Sequence, residues 1–391
     1  MSTSTTPAVH GTVAPGFEAV RDAFSATTPY TDPGGSGLHI RRDGEVIVDL
    51  WYGHAGTAGA WQPDTPVTLM SCTKGLLAIL AGLLAEEGRL DFDAPVAAYW
   101  PEYACHGKEE TTVRQVFAHR AGVPAFRTPI TRDQFLDWEF MTNLMARERP
   151  FWKPGTAYLY HPFTYGWIGG EIIRRAGGGI PVPTLLAQRV TGPLDAEAWI
   201  GIPDAVQPRV ADLSLEQEYP PEIDPAELGE DDLALASAGW MTMGAALPAR
   251  FVDPGIGFND PQIRGGVIPA AGGIGTARAM ATIYSAAVCQ GEAITLLNED
   301  ILTDMRVVQS ETDPAIPGPG PYPRWGTGFM LNSIVRPMLS DRSFGHDGLG
   351  GQFCFGDPAY RIGFGYLTNR LWAADIDRAV EIIAALRTVL G

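Results

Sequence analysis

At 391 residues, 45% of them hydrophobic, the chain is long enough to bury a deep core and has the composition of a soluble, ordered globular protein. Its 28 basic against 45 acidic residues leave a net charge of −17, which opposes binding to nucleic-acid phosphates or anionic lipid. The four cysteines, Cys72, Cys105, Cys289 and Cys354, lack C-x-x-C spacing, and the seven histidines lack H-x-H or H-E-x-x-H spacing, so no metal or cofactor and no dense disulfide framework is expected.

In chain order, residues 1–15 form a small-residue, Pro-containing leader with neither the basic n-region nor the apolar h-region of a signal peptide. The longest apolar run, Gly75 to Ala85, is too short to cross a bilayer, so the expectation is a cytoplasmic protein without a membrane partner. "LHIRRDGEVIVDLWYGHAG" predicts two antiparallel strands joined at Asp43-Gly44, a dipeptide suited to the positive φ values of a type I′ turn. Leu76, Leu77, Leu80, Leu83 and Leu84 then predict the buried face of a helix opening at Ser71.

From Ala94 to about Gly244 helical candidates such as Arg132–Arg149 and Tyr165–Ala176 alternate with Pro and Gly loops, and few strand patterns occur. The acidic "EQEYPPEIDPAELGEDD" is expected to be a solvated surface loop. "GGQFCFGDPAYRIGFGYLTNR" predicts another strand, turn and strand about Asp357-Pro358. Ile376, Ala379, Val380, Ile383, Leu386 and Leu390 mark one stripe of a closing amphipathic helix, with Asp377, Arg378, Glu381 and Arg387 mostly off it. This organisation predicts an α/β (α+β) fold in which residues 16–93 and 250–391 form a sheet domain and residues 94–249 an all-helical insertion.

The chemistry is suggested by Ser71 and Lys74. At i and i+3 they share one helix face, and the backbone N–H of Ser71 sits at a helix start, where developing negative charge is favoured. Only three lysines occur, Lys74, Lys108 and Lys153, while the other basic positions are Arg. Unlike Arg, a desolvated Lys can surrender its proton and activate a serine. No G-x-S-x-G surrounds any serine, which disfavours an α/β-hydrolase nucleophile elbow.

The stretch "SCTKGLLAILAGLLAEEGRLDFDAPVAAYWPEYACHGKEETTVRQVFAHRAGVP" closely resembles the serine β-lactamase and penicillin-binding-protein superfamily, in its esterase-like branch that includes the family VIII carboxylesterases. Shared blocks include S-x-x-K, the G-x-L-x-x-D-x-P-V stretch and the H-x-x-G-x-P turn from His119 to Pro124. "PGTAYLYHPFTYGWIGGEIIRR", "AAGGIGTARAMATIY" and "GHDGLGGQFCFGDPAYRIGFGYLTN" extend the likeness over nearly the whole chain. It implies a β-lactamase/transpeptidase-like fold, an antiparallel sheet flanked by helices, and an acyl-enzyme on Ser71. The family's tyrosine falls on Tyr160, so that Tyr160 or Lys74 is the immediate base. Its third element falls on His346-Asp347-Gly348, with the amides of Ser71 and Leu349 as oxyanion donors and His346 and Gly348 beside the substrate.

Two departures from the lactam-processing members stand out. His346, largely neutral near pH 7, replaces the usual Lys, and Tyr160-His161-Pro162 replaces Y-x-N, so Pro162 offers no side-chain amide. Both weaken the grip on a carboxylated lactam and favour a carboxylesterase acting on small neutral esters. An acyltransferase, a β-lactamase or D-aminopeptidase, and a catalytically silent binding protein of the same fold are the alternatives. Trp152, Tyr158, Phe163, Trp167 and Trp325 are candidates for an apolar acyl pocket.

Overall fold

The structure, a computed structural model, describes residues 8–28, 34–128, 130–215, 229, 257–289, 294–312, 314–316, 320–371 and 377–391. Apart from Gly229, the acidic stretch at 216–232 lies outside the described residues, as do the expected domain boundary at 249/250 and Ile376.

The strands are β1 His10–Val13, β2 Gly35–Arg42, β3 Glu45–Gly53, β4 Val67–Thr68, β5 Ala198–Ile200, β6 Ser214–Leu215 and β7 Gly273–Gly275. They continue with β8 Arg324–Trp325, β9 Met330–Leu331, β10 Phe344–Gly348, β11 Gln352–Asp357, β12 Ile362–Thr368 and β13 Arg370–Leu371. Eight of them form one antiparallel sheet in the order β1-β3-β2-β12-β11-β10-β9-β8. This is the β-lactamase/transpeptidase-like architecture, mixed in α and β content, with the central antiparallel sheet covered by helices.

The β2–β3 hairpin closes where expected: Asp43 (φ 52°) and Gly44 (φ 79°) both take the positive dihedrals of a type I′ turn. The leader is not wholly irregular, because β1 pairs with β3 from His10↔Trp51 to Val13↔Val48 and extends the sheet by one edge strand.

Alternation along β12 sorts the sheet's two faces. Ile362, Phe364 and Tyr366 pack with Ile40, Val48, Phe355, the helix Glu18–Ala26 and the terminal helix Asp377–Leu390 in one buried cluster. Gly363 and Gly365 point the other way, where the helix Ala277–Val288 lies directly on the strand. A Cβ on Gly363 would fall 2.1 Å from Ala281 O, so only hydrogen permits this approach. The terminal helix departs from its expected stripe: Ile382, off it, is buried, while Val380 and Leu390, on it, are only partly so. Arg378 is buried, and its guanidinium donates to the carbonyls of Gly350 and Arg370.

Helices Val113–Phe117, Arg132–Leu136, Trp138–Arg147, Thr164–Ala176 and Val182–Leu186 follow the first sheet strands. The single helix expected over Arg132–Arg149 is two. Asp137 takes an extended conformation and its carboxylate accepts from Phe140 N at 3.0 Å, capping the second helix instead of continuing the first. The helix carrying Lys74, Thr73–Glu86, is buried almost all round rather than along one face, with Leu83 only partly buried. Gly75 and Gly82 make this possible, since a Cβ at either would meet Tyr284 Oη at 2.1 Å or Leu297 Cδ2 at 2.7 Å.

Replacing Gly363 by Ala should destabilise the fold by about 1–3 kcal/mol, because the clash is with helix backbone that has no rotamer to yield. A urea midpoint unchanged from wild type would contradict this packing.

Candidate active site

The site is built where three segments converge on the start of the Thr73–Glu86 helix. β4 leads into a single 3₁₀ turn, Met70–Cys72, and the α-helix proper begins two residues after Ser71. Met70 adopts φ 47°, a left-handed conformation rare for a branchless apolar side chain, and this kink presents Ser71 at the turn. The turn is anchored from outside: Leu69 N donates to Gly273 O (2.7 Å), Gly273 N to Thr73 Oγ1 (3.0 Å), and Thr73 Oγ1 to Met70 O (2.6 Å).

Ser71, Lys74 and Tyr160 meet. Tyr160 Oη donates to Ser71 Oγ at 2.7 Å, and Lys74 Nζ lies 3.3 Å from the same oxygen. Lys74 is fully buried, with Nζ also donating to Pro162 O (2.8 Å) and Ala270 O (2.9 Å). A neutral amine has two N–H bonds, and these two carbonyls take both, which leaves the lone pair for the Ser71 hydroxyl. Burial pulls the Lys74 pKa down to about 7, against the opposing pull of the Asp347 carboxylate. Burial drives the Tyr160 phenol well above its ordinary value, the Ser71 hydrogen bond opposing it. Of the two candidate bases Lys74 is therefore the one able to be unprotonated near neutrality, while Tyr160 remains a phenol.

The third element lies alongside. Cys72 Sγ donates to His346 O at 3.2 Å, drawing β10 against the Ser71 turn, and β10 pairs with β9 only through Phe344 and Gly345. Gly348 is needed for this contact, since a Cβ there would sit 2.8 Å from Leu69 O and 3.1 Å from the Gln352 side chain. Leu349 follows in the β10–β11 turn, partly buried against the core.

His346 is buried and its Nδ1 lies 2.6 Å from Asp347 O. A carbonyl only accepts, so Nδ1 carries the proton and Nε2 keeps its lone pair, without a hydrogen-bond partner among the described residues. Burial lowers the His346 pKa. Asp347 moves down too: burial alone would raise it, but hydrogen bonding from His346 and the charge of Arg336, 2.5 Å away, outweigh that. The expected weak fixed cation is thus a neutral imidazole beside an ionised carboxylate.

The candidate aromatics divide. Trp325 stacks on Tyr160 with ring centres 5.3 Å apart and also approaches His346 at 5.4 Å. Trp152 stands one layer back, edge-on to His161, with Nε1 donating to Ala157 O. Phe163 and Trp167 are buried around Phe135 in the helical core. Tyr158 is buried too, its hydroxyl donating to Glu311 O. All three join buried apolar clusters, the ordinary fate of aromatics in such a segment. The carbonyls of Pro162 and Ala270 escaped the sequence reading because backbone acceptors leave no compositional signal.

None of the four cysteines is joined in a disulfide. Among the described residues no group of three or more His, Cys, Asp or Glu side chains is placed to hold a metal ion, and no helix is long and apolar enough to cross a membrane.

An S-x-x-K turn under a tyrosine, beside the edge of an antiparallel sheet, defines a hydrolase of the serine β-lactamase class. The chain matches the beta-lactamase family over residues 26–386 and belongs to it. It is 31% identical to the esterase/beta-lactamase LipL of Mycobacterium tuberculosis over 387 residues, 93% of this chain and 83% of that protein. Its structure is similar to a family VIII carboxylesterase (TM-score 0.84, 31% identity, 98% of this chain and 100% of the other). It is also similar to EstA from Arthrobacter nitroguajacolicus Rue61a (TM-score 0.84, 28% identity, 97% of both chains).

Replacing Gly348 by Ala should push β10 off the Ser71 turn and lower turnover of a p-nitrophenyl ester by about 10-fold or more, a fraction of the ~3 kcal/mol that one oxyanion donor contributes. Wild-type turnover in this variant would show that the close approach of β10 is dispensable.

Proposed function

We propose that this protein is a serine carboxylesterase acting through an acyl-enzyme on Ser71. The observation that carries this reading is the shared contact of Lys74 Nζ and Tyr160 Oη with Ser71 Oγ, in a place where Lys74 is desolvated. Similarity to LipL and to a family VIII carboxylesterase supports the same reaction class.

Neutral Lys74 takes the proton of Ser71 as Oγ attacks the ester carbonyl, and the amides of Ser71 and Leu349 receive the tetrahedral oxyanion. Collapse breaks the bond to the leaving alkoxide, which takes the Tyr160 proton, and the Lys74 ammonium balances the phenolate left behind. Water then enters and gives up a proton along the same groups, releasing the acid and restoring Ser71.

Substrate preference follows from charge. Members that hold a substrate carboxylate use a Lys where this chain has His346, and here that imidazole is neutral with the Asp347 carboxylate next to it. An anionic substrate meets repulsion where it would need a cation, so uncharged esters are the fitting class.

Four measurements test the reading. A fluorophosphonate should add one adduct mass to the wild-type protein and none to Ser71→Ala. Lys74→Arg should cut kcat/KM for p-nitrophenyl butyrate by about 100-fold or more, because a guanidinium cannot accept the serine proton. With the Lys74 pKa at about 7, the amine is mostly charged below that pH and mostly neutral above it, so kcat/KM should climb through pH 7 and level off on the alkaline side. Nitrocefin should be a far poorer substrate than the butyrate ester; equal kcat/KM for the two would remove the argument from His346 and Asp347.

A further inference from the structure

On the reading of Tyr160 as the proton donor, we infer that His119 is its positioning residue, a neutral imidazole that holds the backbone on both sides of Tyr160 and flanks its ring. His119 ends the turn after the Val113–Phe117 helix at φ 61°, a left-handed conformation that, apart from Gly, mainly Asn, Asp and His adopt. From there its carbonyl accepts from Leu159 N (3.2 Å) and its Nδ1 accepts from His161 N (3.1 Å). One residue thus fixes the positions before and after Tyr160. Its ring lies 4.9 Å from the Tyr160 ring and 4.5 Å, edge-on, from Trp325, which stacks on the same tyrosine.

The proton positions follow from the partners. A backbone N–H only donates, so His119 Nδ1 must carry a lone pair and its proton resides on Nε2. His161 takes the opposite tautomer: Nδ1 donates to Leu159 O at 2.5 Å, and Nε2 accepts from Val123 N at 3.1 Å. Val123 belongs to the His119–Pro124 turn, and its carbonyl accepts from Thr164 Oγ1 at the start of the next helix (2.6 Å). The turn and the tyrosine segment are therefore sewn together by two imidazoles, each acting as an acceptor that only its neutral form can be. Both are buried, and burial holds both below the usual histidine pKa, His161 at about 4.

The consequence reaches the reaction because the same segment carries Pro162, whose carbonyl receives a Lys74 N–H. Letting residues 159–162 drift would displace the Tyr160 phenol and one of the two carbonyls that orient the Lys74 lone pair. Misplacement of about 1 Å costs on the order of 100-fold in rate.

Three substitutions separate this role from general packing. His119→Asn keeps an acceptor close to the Nδ1 position and tolerates positive φ. His119→Gln is polar but sets its acceptor one bond farther out, and His119→Phe keeps the ring without any acceptor. The readouts are the second-order rate of fluorophosphonate labelling at Ser71, kcat and KM for p-nitrophenyl butyrate, and the melting temperature. His119→Asn should label within about threefold of wild type, whereas His119→Gln and His119→Phe should label at least about 10-fold more slowly, with kcat reduced and KM little changed. The inference is overturned if His119→Gln, or a folded His119→Phe, labels at the wild-type rate, or if His119→Asn loses as much as His119→Gln. A wild-type protein that is labelled yet hydrolyses no ester would defeat the esterase reading alone, and the labelling rates would still decide the role of His119. A wild-type protein that takes no label at Ser71 would overturn both.

Discussion

A primary amine buried with no counter-ion in contact among the described residues is the constraint on which the rest of this molecule turns. Lys74 has no exposure, and its hydrogen-bond partners are two backbone carbonyls and a serine hydroxyl. Placing an ammonium there is costly, so the proton is held loosely, and a loosely held proton is what a base near neutrality requires. The surrounding structure serves that condition. The Thr73–Glu86 helix is apolar on every side, Tyr160 and Tyr165 put their rings 4.8 and 5.7 Å from Nζ, and the nearby histidines are kept neutral by burial.

Lys108 shows that burial and scarcity are not sufficient. It too is fully buried, and its amine donates to the carbonyls of Ala146 and Glu148, much as Lys74 does to those of Pro162 and Ala270. What differs is the remaining direction about each nitrogen. Both amines lie over a tyrosine ring, but at Lys74 the remaining direction holds a serine hydroxyl shared with a phenol, whereas at Lys108 it meets the Cys105 thiol at 4.0 Å. On the reading proposed above, the same device serves chemistry in one place and architecture in the other.

Charge around the site bears on the substrate class proposed above. His346 is uncharged because its Nδ1 proton is committed to a backbone carbonyl in a buried setting, and Asp347 is ionised because Arg336 is beside it. On the carboxylesterase reading proposed above, this arrangement suits a reacting carbonyl whose developing negative charge two amides receive, and it sets the Asp347 carboxylate where a substrate carboxylate would need a cation.

Local rules decided much of this protein in advance. The Asp43-Gly44 turn, the strands on either side of Asp357-Pro358, the helix from Thr164 and the Ser71-Lys74 spacing are dictated over a few residues by φ preference, period and side-chain chemistry, so they are legible in the chain. The likeness to a known superfamily extended that reading to Tyr160 and to His346–Gly348, which spacing alone does not connect to Ser71. Other features depend on partners remote in sequence and were settled only in three dimensions. These are the split at Asp137, the strand within the leader, the burial of Arg378, the sorting of Trp325 toward Tyr160 and of Phe163 and Trp167 into the core, and the carbonyls that aim Lys74. The physical reason is that hydrogen bonds to backbone and desolvation belong to neighbourhoods, and a neighbourhood assembled from residues 71, 119, 160, 270 and 346 exists only once the chain has folded.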